Sequence, residues 1–237
     1  MNALSGAAIF VVQTLVSLYL VIVLLRFVLQ LVKANFYNPL SQFAVRATQP
    51  LLKPIRRVIP SVFGLDTSSL ILSIVIQALL MAFVLMVTYG TFGDIPHLLM
   101  WAVIGVTSLF LKIFWVAMIV MVIVSWIAPG SHNPAAELAY QISEPVLAPF
   151  RKLVPNLGGL DISPIFAFLA IQVIQSFVMP PLAAYAGMPQ ELFRMIRDNQ
   201  LEWRAEVTTS ELYRLKPGMK VSVISADPNQ PPIMGTV

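Results

Sequence analysis

Four long apolar stretches, at about 6–32, 68–89, 101–128 and 163–186, alternate with polar, Pro-rich segments along the chain. A bilayer core takes roughly 20 apolar residues as helix, so each stretch predicts one membrane span. The polar pattern repeats. Asn38-Pro39 through Ser68 aligns without gaps to Asn133-Pro134 through Ser163 at a constant offset of 95 residues, with 12 of 31 positions identical. The first and third spans are separated by the same offset, and so are the second and fourth. Each copy therefore reads helix, loop, helix. Two spans return the chain to its starting side, so the copies insert in the same orientation, related by a pseudo-two-fold axis along the membrane normal. The expected fold is an all-α membrane protein of four transmembrane helices in two parallel repeats, 1–95 and 96–190. Interfacial amphipathic helices in the loops and a β-rich tail, 191–237, complete it.

Within each loop the pattern becomes helical again. Asn38-Pro39 and Asn133-Pro134 carry the signature of a helix start, an Asn cap followed by Pro at the first helical position. Leu40, Phe43, Ala44, Ala47 and Leu51 fall at helical spacing in the first copy, as do Leu138, Ala139, Ile142 and Val146 in the second. Both stripes predict helices of about three turns in the membrane interface, ended by Pro50 and Pro145. Pro54-Ile55-Arg56-Arg57 and Pro149-Phe150-Arg151-Lys152 follow. Adjacent cations among apolar neighbours suit an anionic leaflet, at about 1 kcal/mol per cation. Gly64 and Gly159 permit a positive φ before the next span. Asp66 and Asp161 stand where a carboxylate caps or favourably charges that span's N-terminus. Arg56, Arg57, Arg151 and Lys152 are thus candidate lipid- or partner-binding residues. The loop reads either as a surface staple that fixes hairpin geometry or as a docking surface.

Few polar groups enter the spans. Arg26 lies near the loop end of the first and is expected to snorkel. Lys112 takes the level of Ser17 by the repeat offset, near mid-helix, where a cation costs about 3 kcal/mol. No Asp or Glu lies in any of the four stretches to pair with it. Lys112 either snorkels along a third helix reaching back to about His97, or faces a water-filled cavity or an acidic partner. Gln77 and Gln172 are repeat equivalents at mid-depth, where amides hydrogen-bond across helices at about 0.6–2 kcal/mol each.

Composition narrows the function. The chain is 58% hydrophobic and 11% charged, less than half the charged share of a typical soluble domain. It has no Cys, and its two His residues, His97 and His132, stand far apart without metal-ligand spacing, so no cofactor or metal is expected. Lys33, Arg46, Lys53, Arg56 and Arg57 lie in the first loop, and Arg151 and Lys152 in the second. The N-terminus and the 90–100 connection have no Lys or Arg. Both loops are therefore expected in the cytoplasm and both termini outside. Cations beside apolar segments indicate a membrane surface rather than nucleic acid. The N-terminal apolar run is too long for a signal peptide and reads as a retained helix. No carboxylate pair, nucleophile with adjacent base, or phosphate loop appears, which makes an enzyme unexpected. In the tail, charges nearly alternate in sign, and Leu201–Val207 and Val221–Ile224 read as short strands around Lys216-Pro217-Gly218-Met219.

Asn-Pro, then Thr/Ser-x-Pro-Leu/Val-Leu-x-Pro-Ile/Phe-Arg-Arg/Lys, then Pro-x-x-x-Gly-Leu-Asp-x-Ser, twice between membrane helices, resembles the YggT family of small bacterial membrane proteins over about 1–190. Leu24-Leu25-Arg26 and Val124-Ser125-Trp126 ahead of the two copies resemble it too. The resemblance implies an inner-membrane protein linked to osmotic-shock tolerance with potassium uptake, cell division or membrane-complex assembly, and brings no catalytic residue. Trp203–Val207, Glu211–Val221 and Gly235-Thr236-Val237 resemble a fragment of the β-barrel domain of efflux-pump periplasmic adaptors, which points to a fusion. The leading expectation is a non-enzymatic scaffold that meets anionic lipid, other membrane or cytoplasmic proteins, or a second copy of itself. The alternative is a transport protein or accessory for a cation or osmolyte.

Overall fold

Long apolar runs propagate as single helices: α1 (Ala3–Leu31), α3 (Thr67–Tyr89) and α4 (Ile95–Ile127). The computed structural model describes residues 3–59, 65–128, 133–153, 161–189, 192, 220–223 and 233–236. The fourth apolar run is composite: α6 (Ser163–Val173), a π-turn (Ile174–Val178) and α7 (Met179–Tyr185). Pro180 and Pro181 cannot return N–H bonds to the Ser176 and Phe177 carbonyls, and the ladder widens just before them. There the Met179 N–H reaches back to the Ile174 carbonyl. Among the described residues, four segments are long and apolar enough to cross a membrane, at 25, 23, 33 and 23 residues. Gly90, at φ +71°, closes α3, a left-handed position that glycine fills without strain.

The chain divides into two units, Met1–Asn199 and Gln200–Val237. The first is held by a small apolar cluster of Val23, Leu52 and Leu72 and by two large ones. One, at the loop end, joins Leu24 and Val28 of α1 to Phe114 and Met118 of α4 and to Ala167 of α6. The other gathers Ile9, Met81, Trp101 and Met179 at the opposite end. There the Trp101 indole N–H donates to the Ala186 carbonyl at 2.8 Å and ties α4 to the end of α7. In the second unit the described residues form β1 (Lys220–Val223) and β2 (Ile233–Thr236), paired antiparallel with Lys220 opposite Thr236. The sequence-predicted strand at 201–207 lies outside the described residues, as do Gly64 and Gly159.

The loop helices are longer than the sequence pattern predicts. α2 (Pro39–Val58) and α5 (Pro134–Leu153) each run 20 residues, straight through Pro50 and Pro54 and through Pro145 and Pro149. Proline does not end them because all four prolines sit on an exposed face. Leu52 and Leu147, beyond the first proline of each pair, are fully buried and hold the helix in register. The predicted apolar stripe of α2 is also displaced. Leu40, Phe43 and Leu51 are exposed, and the packed face is Ser41, Ala44, Thr48 and Leu52. α5 buries most of the stripe the pattern predicts, Leu138, Ala139 and Ile142, while Val146 is half-buried and Leu147 beside it is fully buried.

Candidate functional site

In the first loop, Arg26 does not snorkel. It is 6% exposed and turns inward, because three acceptors converge on it from α2 and the start of α3. Its Nε lies 3.3 Å from Asp66 Oδ2, and its Nη1 donates to Thr48 Oγ1 at 2.7 Å and to the Val45 carbonyl at 3.2 Å. The Thr48 hydroxyl in turn donates to the Ala44 carbonyl at 2.7 Å, a back-bond available to a hydroxyl in mid-helix. Asp66 is 2% exposed and also receives Arg56 and, at 2.7 Å, the Ser69 hydroxyl. Its side chain makes no cap bond to the backbone of the first turn of α3, because Oδ2 is turned to Arg26, Arg56 and Ser69; of the two roles the sequence suggests, what is left is a carboxylate standing at the helix start. Burial pushes the Asp66 carboxyl up, but the bonds from Arg56 and Ser69 and the charges of Arg56 and Arg26 outweigh it and hold the pKa below the ordinary carboxylate value.

The second loop lacks this centre. Met121 stands at the repeat position of Arg26, and Ser143 stands at that of Thr48. The Ser143 hydroxyl is buried with no hydrogen-bond partner among the described residues. Arg151 is paired in the open instead, its Nε 2.9 Å from Asp161 Oδ2 and its Nη1 2.5 Å from Glu144 Oε2, with all three side chains at least 37% exposed. Asp161 Oδ1 accepts from the Ser163 backbone N–H at 2.9 Å, so here the carboxylate does hold the start of the span. Burial pushes its pKa up, and the bonds from Ser163 and Arg151 pull it below the ordinary value.

The two loops are joined at their helix starts. Asn38 caps α2 by accepting from the Leu40 N–H at 3.0 Å, and its amide donates across to the Pro134 carbonyl at 2.8 Å. Asn133 caps α5 through the Ala135 N–H at 2.9 Å. The Asn35 side chain donates to Glu137 Oε1 at 2.9 Å, and its backbone N–H to Gln141 Oε1 at 2.8 Å. Asn35 and Glu137 carry no signal in the sequence, since both occupy exposed positions unmatched between the copies. Of the four candidate cations, Arg56 and Arg151 are consumed by the carboxylates just described, whereas Arg57 and Lys152 are exposed and unpaired among the described residues. The sequence did contain a signal for the buried centre. Arg26 ends one span and Asp66 begins the next, so a tight hairpin must bring opposite charges to one level.

A cavity of about 660 Å³ lies between α1 and α4 and extends to the loop helices. Its walls come from matching positions of the two copies: Ser17 and Lys112, Leu18 and Ile113, Val21 and Val116, Leu25 and Val120. Of these pairs only Ser17 and Lys112 set a neutral group against a charge. α4 does reach back past His97, to Ile95, while Lys112 is exposed on the cavity wall. Gln77 is buried on α3 and packs onto Gly105 of α4, where an added Cβ would meet its Nε2 at 3.0 Å. Gln172 does not repeat that role. It is exposed and donates to Ser176 Oγ at 3.2 Å within its own span: α6 packs on α4 and α5, whereas Gln77 sits on a helix packed against both α1 and α4. Among the described residues no cluster of metal-ligating side chains occurs.

Comparison with known proteins places this architecture. The CCB3/YggT family model matches residues 5–87 and again 100–182, two ranges offset by the same 95 residues. An uncharacterised protein of Pseudomonas aeruginosa is 62% identical over 193 residues, which are 81% of this chain and 98% of that protein. The uncharacterised protein YggT of Escherichia coli is 38% identical over 181 residues, 76% of this chain and 93% of its own. A chloroplastic YlmG homolog of Arabidopsis thaliana is 37% identical over 73 residues, 30% of this chain and 28% of its own. No solved structure matches. With the duplicated motif, four membrane-length helices and relatives matched over nearly their whole length, the chain belongs to the CCB3/YggT family.

Proposed function

We propose that this protein is a non-enzymatic scaffold or accessory protein of the bacterial inner membrane. It is built as two parallel repeats, with both loops cytoplasmic and the termini periplasmic. The observation that carries the reading is the joined platform: α2 and α5 are bonded to each other through Asn38 and Asn35, and α2 is anchored to the spans through Arg26 and Asp66. Such a platform supplies no reacting groups but presents a fixed surface, with Arg57 and Lys152 free for acidic partners or anionic headgroups. The exposed Leu40, Phe43 and Leu51 of α2 suit immersion at the interface. Roles in osmotic-shock tolerance, cell division or membrane-complex assembly fit a scaffold of this kind. The antiparallel pair at 220–223 and 233–236 is compatible with the adaptor-barrel likeness of the tail.

Photo-crosslinking residues placed at Arg57 and Lys152 in native membranes test the reading. A scaffold gives protein adducts of defined mass from both positions. Lipid adducts alone would cut the reading back to a loop that only meets anionic headgroups, with no partner protein to scaffold, and the absence of both kinds of adduct would contradict it. A second reading, transport of an osmolyte, is favoured by the cavity at mid-depth between matching repeat positions, where transporters place substrates. A lone cation there repels a cationic solute. The transport reading requires that uptake be lost on Lys112→Met with the protein still inserted, whereas the scaffold reading expects uptake to be unaffected.

A further inference from the structure

Lys112 is exposed on the cavity wall and has no ion-pair partner among the described residues. It lies midway along α4, and no Asp or Glu occurs in any of the four spans. A cation at this depth is costly unless something anionic reaches it. A lipid phosphate does not, because half of a roughly 30 Å hydrocarbon core separates the headgroup layer from mid-depth. A second copy of this chain does not either, since its spans carry no carboxylate, and a two-fold pairing across the cavity would bring Lys112 toward Lys112. What delivers a carboxylate to that level is another membrane helix.

The shape of the cavity agrees. From Gln13 to Leu25 its α1 wall rises about 18 Å at 1.5 Å per residue, enough for some three turns of a parallel helix. Ser17 and Ala117 on the walls let a backbone approach closely, as membrane helix interfaces require. We propose that the groove between α1 and α4 receives a transmembrane helix of a different membrane protein, one whose apolar stretch carries an Asp or Glu that pairs with Lys112. The inference rests on the scaffold reading and names the kind of partner it holds.

The probe is a 20-residue Leu/Ala membrane peptide with one central Asp, and its Asn counterpart, in phosphatidylcholine vesicles containing the full-length protein. Energy transfer from labelled protein to labelled peptide reports association. The Asp peptide is expected to associate about tenfold more tightly than the Asn peptide at neutral pH. Lys112→Met should abolish that preference and Lys112→Arg retain it, both variants being checked for insertion and helix content. Equal association of the two peptides, or an Asp preference that survives Lys112→Met, would overturn the inference. So would transfer between two labelled copies of the protein that blocks the peptide, or a preference that appears only with phosphatidylglycerol. Crosslinks from Arg57 and Lys152 report the scaffold reading independently, so failure of the groove leaves that test intact.

Discussion

The two loops share a sequence motif and a 20-residue helix, yet they are fastened to the membrane helices by different chemistry. α2 turns a face of Ser41, Ala44 and Thr48 inward and is held by the buried pair of Arg26 and Asp66, which the exposed Arg56 joins from the surface. α5 turns Leu138, Ala139 and Ile142 inward and keeps its charges, Arg151, Asp161 and Glu144, at the surface. One position decides between them. Arg at 26 requires acceptors, and the hydroxyl and carboxylate of the adjacent loop supply them. Met at 121 requires none and packs in the apolar core. A buried ion pair is not in itself a stronger fastening than apolar packing, because desolvation offsets much of the attraction. It is, however, far less tolerant of losing one partner.

Arg26→Met, which copies the second repeat into the first, therefore gives the largest expected effect. It leaves Asp66 buried with Arg56 as its one remaining cation and takes from Thr48 the bond it accepts, while the Thr48 hydroxyl keeps its own bond to the Ala44 carbonyl. A loss of about 3–5 kcal/mol is expected in denaturant unfolding of the detergent-solubilised protein. A change near zero would mean that the two loops are fastened alike.

The carboxylates sharpen the comparison at smaller scale. Asp66→Asn should cost about 2–3 kcal/mol, as for a buried charged hydrogen bond, while Asp161→Asn, in an exposed pair, should cost at most about 1 kcal/mol. Acid should report the same difference. Both carboxyls have folded pKa values below the ordinary value, so their stabilisation is present above pH ~4 and lost as pH falls through the folded values. Because Asp66 serves a buried centre, α2 should loosen in acid more than α5, with both unchanged between about pH 5 and 8. The hydroxyls show the same asymmetry, and the smallest effect of all is at Ser143. Thr48→Ala should cost about 1–2 kcal/mol, whereas Ser143→Ala, which removes a buried hydroxyl with no partner among the described residues, should be neutral or slightly stabilising.

Much of the fold was legible because apolar length and a 95-residue self-match depend on the sequence alone. The helix starts at Asn38 and Asn133 were legible for the same reason, since a cap and a following proline act locally. The run of α2 and α5 through their prolines was not, because it depends on Leu52 and Leu147 being buried against other elements. Arg26 was misjudged in the same way. Snorkelling is the default for one cation on one helix, and only the fold brings Asp66 and Thr48 to it. Gln172 failed because equal sequence positions do not guarantee equal neighbours: α3 packs against α1 and α4, α6 against α4 and α5, and Gln172 is left exposed.

The contrast in fastening is tested most directly by hydrogen exchange of the two loop helices, 39–58 and 134–153, in wild type and in Arg26→Met. The charge-centre account predicts that the substitution removes protection from 39–58, by about a hundredfold or more, and leaves 134–153 within a few-fold of wild type. Equal loss in both helices, or unchanged protection in 39–58, would contradict it.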